Sequence, residues 1–144
     1  MFTWRNNNKH FESVWSLVER FKSLNVINGE ELNGLLIGPK NKNESINKES
    51  ILNLTPDKTL ELGKILNLSV YEYEKTTVHE ILGNVVCNRS VDIMTIIDSK
   101  FKYCQTCLEQ EYHSYFHQLK FMVICPFHNR KLLSKCTNCN YKIV

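Results

Sequence analysis

The chain has 144 residues, 42% hydrophobic and 23% charged, with a formal net charge of +3. That is room for one ordinary domain or two small ones, and the balance excludes an intrinsically disordered chain. Its longest apolar runs, such as Phe121–Cys125, are far too short to span a bilayer as a helix.

In chain order, "MFTWRNNNKHFES" contains no apolar h-region, so no secretory signal is expected and the expected compartment is the cytoplasm. "HFESVWSLVERFKSLN" predicts an amphipathic helix. Phe11, Val14, Trp15, Val18 and Phe21 recur at three- and four-residue spacing on one face, and Glu12, Glu19, Arg20 and Lys22 fall largely on the other. A shorter helix is expected around 30–37, ended by Gly38-Pro39. "PKNKNESINKES" (39–50) is polar and aperiodic and reads as an exposed loop, its lysines offset by Glu44 and Glu49. Thr55-Pro56 has the form of an N-cap with proline at the first helical position, and Leu62, Ile65 and Leu66 follow as a helical face. Ser69 and Glu72 then have the spacing of a capping box that starts another helix. Two helices across a tight turn have the shape of a helix-turn-helix, a pattern that any helical hairpin shares. The second of them carries Glu72, Glu74 and Glu80 against Lys75, which suits a phosphate backbone poorly. Residues 90–99 fit helix or strand, and Cys87, without a partner at metal spacing, reads as a buried thiol.

The last third differs in kind. Residues 1–100 carry 12 Lys and Arg against 13 Asp and Glu, a balance of −1; residues 101–144 carry 6 against 2, a balance of +4. The same basic end holds five of the six cysteines, in the pattern C-x2-C-x17-C-x2-H-x7-C-x2-C: Cys104, Cys107, Cys125, His128, Cys136 and Cys139. Ligands two residues apart can grip one ion from a tight turn, and four N/S ligands close a tetrahedral structural zinc site. In a reduced compartment such spacing points to Zn2+ rather than disulfides. The simplest set is Cys104, Cys107, Cys125 and His128, which leaves Cys136 and Cys139 as a second half-site. An all-cysteine site from the first and last pairs is the competing assignment. A catalytic zinc would need an open position and a base such as Glu109 or Glu111. His113 and His117, four apart, could ligate together or simply pack among Tyr112, Tyr115 and Phe116.

The stretch from Phe101 to Cys139 resembles the zinc-finger core of the TniQ family of transposon target-selection proteins. The similarity rests on Phe101, Tyr103, Cys104, Cys107 and Leu108, then Cys125, Pro126 and His128, then Leu132, Leu133, Cys136 and Cys139. "FESVWSLVERFKSLN" resembles that family's opening Glu-Ser helix, and "LGKILNLSVYEYEKTTV" its mid-domain segment. The resemblance implies a mainly α fold: a helical, helix-turn-helix-like domain over 1–100 and a zinc-finger module over 101–144. It implies no catalysis. It implies an adaptor in DNA transposition that helps target-site selection and recruits an AAA+ transposition regulator, with no membrane partner and with homo-oligomerisation left open. The expected DNA or partner contacts are Lys120, Arg130, Lys131 and Lys135, with Tyr112 and Tyr115 exposed in the loop between the ligand pairs and Phe116 and Phe121 packed inward. DNA binding by the chain alone is expected to be weak and largely non-specific. The alternative is a zinc-dependent transcriptional regulator or protein-interaction module unrelated to transposition.

Overall fold

The structure, a computed structural model, describes residues 2–4, 8–37, 56–74, 77, 96–98 and 100–141. Among them the regular structure is helical, joined by isolated antiparallel bridges rather than strands. The loop expected at 39–50, the Thr55 cap, Cys87 and most of 90–99 lie outside the described residues.

Helix α1 (Val14–Asn25) starts where Ser13 takes extended geometry and its hydroxyl accepts the Ser16 N–H. Its start is three residues later than the periodicity suggests, because Phe11 has a left-handed φ of 56° and cannot continue a helix. Helix α2 (Gly29–Ile37) opens with a reciprocal cap: Glu31 N–H donates to Asn28 Oδ1 and Asn28 N–H to the Glu31 carboxylate. Helix α3 (Pro56–Leu66) ends in a Schellman turn, with Leu68 N–H donating to the Gly63 carbonyl and Asn67 N–H to that of Lys64. Asn67 supplies the left-handed residue at φ 50°. Helical backbone resumes at 70–74, with Glu72 N–H on the Ser69 hydroxyl.

Val14, Leu17, Val18 and Phe21 of α1, Leu32 and Leu36 of α2, Leu62 and Leu66 of α3, Val70 and Tyr115 form one buried core, with Ile65 partly buried against it. Trp15 turns away from it. Its ring lies 4.5 Å from that of Phe101 and 5.4 Å from that of His113, so it joins α1 to the cysteine-rich end. Glu12 corrects the amphipathic reading outright: it is 0% exposed, not on the solvent face. Its carboxylate accepts from Ser16 Oγ, Lys9 N–H and Arg20 Nη2. Because Glu12 precedes the helix, helical periodicity does not govern where it points.

The cysteine-rich end carries helix α4 (Gln105–Glu109) and a 3-10 turn (Tyr115–Gln118). It is interlocked with the N-terminal segment. Ser13 N–H donates to the His113 carbonyl and Tyr115 N–H to that of Phe11 around a bridge between Glu12 and Ser114. Tyr73 OH donates to the Glu12 carbonyl, and Tyr115 OH to Glu74. A second small core contains Cys104, Cys107, Cys125 and Leu132. Its apolar burial contributes only about 2 kcal/mol from Leu132. Structural metal binding, on the order of 10 kcal/mol in small fingers, would dominate there.

Candidate metal centre

Three backbone devices bring the ligating atoms together. Cys104 caps α4, so the two-residue spacing to Cys107 becomes the first turn of a helix, with Leu108 N–H on the Cys104 carbonyl. Paired hydrogen bonds between Tyr103 and Leu133 tie that turn to the strand-like segment beyond His128. Cys125 and His128 occupy a tight loop closed by Cys125 N–H on the Arg130 carbonyl and Asn129 N–H on the Cys125 carbonyl, with Asn129 left-handed at φ 50°.

The Sγ atoms of Cys104, Cys107 and Cys125 and a ring nitrogen of His128 all lie within 4.8 Å of one another. Cys107 and Cys125 sulfurs are 3.6 Å apart, and His128 Nδ1 is 3.8, 3.2 and 3.8 Å from the sulfurs of Cys104, Cys107 and Cys125. A tetrahedral zinc with Zn–S and Zn–N bonds of about 2.3 and 2.0 Å has edges of about 3.7 Å between sulfurs and about 3.5 Å from sulfur to nitrogen. The cluster therefore has the donor set and the size for such an ion. It belongs to the adjacent-pair assignment; the all-cysteine set is not the one that converges. All three cysteines are buried and reduced.

The thiols are tuned unequally. Burial raises Cys104, but the N–H groups of Cys107 and Thr106 and the neighbouring thiols outweigh it and hold it low. Burial, then Cys125, pushes Cys107 well up. One sulfur is thus stabilised as thiolate by the backbone, while the next resists ionising until a cation balances the charge.

Cys136 and Cys139 stand outside the cluster, and among the described residues no third ligand joins them. Their loop nonetheless repeats the Cys125 loop: Cys136 N–H donates to the Tyr141 carbonyl, Asn140 N–H to the Cys136 carbonyl, and Asn140 is left-handed at φ 59°. The N–H groups of Cys139 and Asn138 hold the Cys136 thiol low. The Cys136–Cys139 pair is a formed knuckle that offers two sulfurs.

His113 and His117 are both buried and serve different ends. His113 Nε2 donates to the Lys102 carbonyl, so its Nδ1 accepts from the Ser13 hydroxyl at 2.7 Å. Burial and the neighbouring His117 push it down to about 3, and the ring is neutral. His117 Nε2 lies 3.4 Å from the Cys125 sulfur and 3.7 Å from that of Cys107. Glu109 and Glu111 are exposed and outside the cluster. Nothing in the spacing of the two histidines separates these roles, because each depends on chain brought in from elsewhere.

Among the expected contact residues, Lys120, Arg130, Lys131 and Lys135 are exposed. Tyr115 is corrected: it is 5% exposed, its hydroxyl held between Glu74 and the Val14 N–H. Tyr112 is half-buried, with its hydroxyl on the His10 carbonyl. Phe121, expected inside, is 65% exposed, whereas Phe116 packs edge-on to Phe11. The bridge between Glu12 and Ser114 draws the early part of the loop onto the segment that leads into α1 and leaves its later part outside. Among the described residues no helix is long and apolar enough to cross a membrane. No family model matches the chain, and no curated protein matches it.

Proposed function

We propose that the chain is a non-catalytic zinc-binding adaptor in DNA transposition, which helps target-site selection and recruits an AAA+ regulator. The observation that supports it best is the convergence of Cys104, Cys107, Cys125 and His128. Four protein ligands complete a tetrahedral ion and leave no position for a reacting water, as in structural rather than catalytic zinc. The resemblance of residues 101–139 to the TniQ zinc-finger core supplies the biological setting. The exposed Lys120, Arg130, Lys131 and Lys135 supply cationic groups for DNA or for an acidic protein. Helical backbone on both sides of the turn at Asn67 is compatible with a helix-turn-helix. Tyr73 and Glu74 of its second half are spent on contacts with Glu12 and Tyr115, so we assign that half to packing rather than to groove reading.

The test is elemental analysis of the chain purified without chelator, followed by co-purification with an AAA+ ATPase and an integrase encoded beside it. One zinc per chain and stable capture of the ATPase are expected. A folded, metal-free protein would overturn the zinc assignment. Zinc without ATPase capture would favour the transcriptional or general interaction module.

A further inference from the structure

We infer that His117 is a positioning residue of the metal centre: it is not a ligand but donates its Nε2–H to the thiolates of Cys107 and Cys125 and so secures the ion. The inference rests on the metal-loaded reading of the Cys104, Cys107, Cys125 and His128 cluster and adds a residue to it.

The tautomer is set by the backbone. Ser114 caps the 3-10 turn Tyr115–Gln118, and its N–H donates to His117 Nδ1 at 3.4 Å. A nitrogen that accepts an N–H carries no proton of its own, so in the neutral ring the proton sits on Nε2. That atom faces the Cys125 sulfur at 3.4 Å and the Cys107 sulfur at 3.7 Å, within reach of an N–H···S bond. The protonated nitrogen cannot coordinate a cation unless the ring gives up the Ser114 bond. The four-membered cluster is already complete without it.

Three thiolates and a neutral imidazole around a divalent cation leave a net charge of −1. In this buried site that charge requires donors. Cys104 receives the N–H groups of Cys107 and Thr106. His117 supplies a donor for the other two sulfurs. The geometry also links the metal to the helical body: Ser114 Oγ donates to the Phe11 carbonyl, and Ser114 bridges Glu12. A single capping serine thus orients His117 from one side while holding the N-terminal segment from the other.

The test uses the zinc-loaded full chain and its His117→Met and His117→Gln variants. Glutamine can place an amide N–H near the Nε2 position; methionine fills the space without a strong donor. Zinc content and thermal melting are measured first. Zinc transfer to a chromogenic chelator is then timed, along with alkylation of the released thiols. His117→Met is expected to release zinc about tenfold faster, within the range for outer-shell partners of metal ligands, while His117→Gln stays near the wild-type rate. Equal rates in all three chains, or a glutamine variant as fast as methionine, would overturn the inference. If His117→Met does not fold, the wild-type chain answers alone. In its cadmium-113 form, scalar coupling should reach three cysteines and His128 only, and long-range proton–nitrogen spectra should show His117 protonated at Nε2. Coupling to His117, or a proton on Nδ1, would overturn it. A wild-type chain that holds no metal would instead sink the proposed function.

Discussion

Cys104 shows how much chemistry one side chain can concentrate. It is a candidate ligand, the cap of α4 and the acceptor of two backbone N–H groups. Cys104→Ser should abolish stoichiometric zinc binding and unfold the C-terminal third, whereas Cys136→Ser should keep one zinc per chain; elemental analysis with circular dichroism checks both. Glu12 is a second such residue. Replacing it by Ala removes the shared acceptor of Arg20 Nη2, Lys9 N–H and Ser16 Oγ. A loss of about 3 kcal/mol in denaturant-measured stability is expected, the lower end for breaking a buried ion pair. His113 makes stability depend on pH. Its folded value, about 3, lies below the ordinary histidine value, so the unfolded chain binds the extra proton between the two. This contribution is complete above about pH 6.5 and falls by up to about 1.4 kcal/mol per pH unit below it. His113→Gln should flatten the slope of unfolding free energy between pH 6.5 and 5 relative to wild type, at constant zinc occupancy.

Among the elements, the two helix ends with Schellman turns behave differently. At the end of α3 the left-handed residue is Asn67, which tolerates that conformation, and Gly63 admits the Leu68 carbonyl. A Cβ on Gly63 would lie 2.7 Å from that oxygen, so Gly63→Ala should destabilise despite its better helix propensity. At the end of α1 the left-handed residue is Val26, at φ 54° and 92% exposed. A β-branched residue there carries about 1–2 kcal/mol of steric cost. It gains little from burial in return. Val26→Gly should raise the melting temperature, with about 1 kcal/mol as the expected gain, and without affecting zinc content.

For the whole molecule, contacts across the sequence boundary at residue 100 predict that metal removal is felt in the helical core as well. Tyr115 belongs to the helical core, yet it lies two residues from His117, which faces the ligand sulfurs. Trp15 packs at a tilt on Phe101 and edge-on to His113 at the same junction. In a Trp4→Phe background, chelation should shift Trp15 fluorescence and lower the melting of the α1–α3 core along with that of the cysteine-rich end. Separate transitions, with the helical one unmoved, would contradict this coupling. DNA binding by the chain alone should be salt-sensitive and weak. If all four of Lys120, Arg130, Lys131 and Lys135 meet phosphates, the slope of log K against log salt is about −4. Tight sequence-selective binding at physiological salt would show that the 70–74 segment reads bases after all.

The cluster of Cys104, Cys107, Cys125 and His128 was legible in the sequence because two-residue spacing is a local constraint: one turn of chain decides whether two sulfurs can share an ion. The cores of α1 and α3 were legible for the same reason, since three- and four-residue periodicity places Val14, Val18, Phe21 and Leu62 on faces before any packing is known. The capping pair Asn28 and Glu31 went unread, although its three-residue spacing is a local signal of the same kind. What spacing does not encode is which distant segment arrives. The burial of Glu12, the inward turn of Tyr115, the exposure of Phe121 and the approach of His117 to the Cys107 and Cys125 sulfurs all follow from residues 9–16 lying against residues 110–119. Those contacts span about a hundred positions, and they are set by shape and hydrogen-bond satisfaction in three dimensions, so only the tertiary structure decided them.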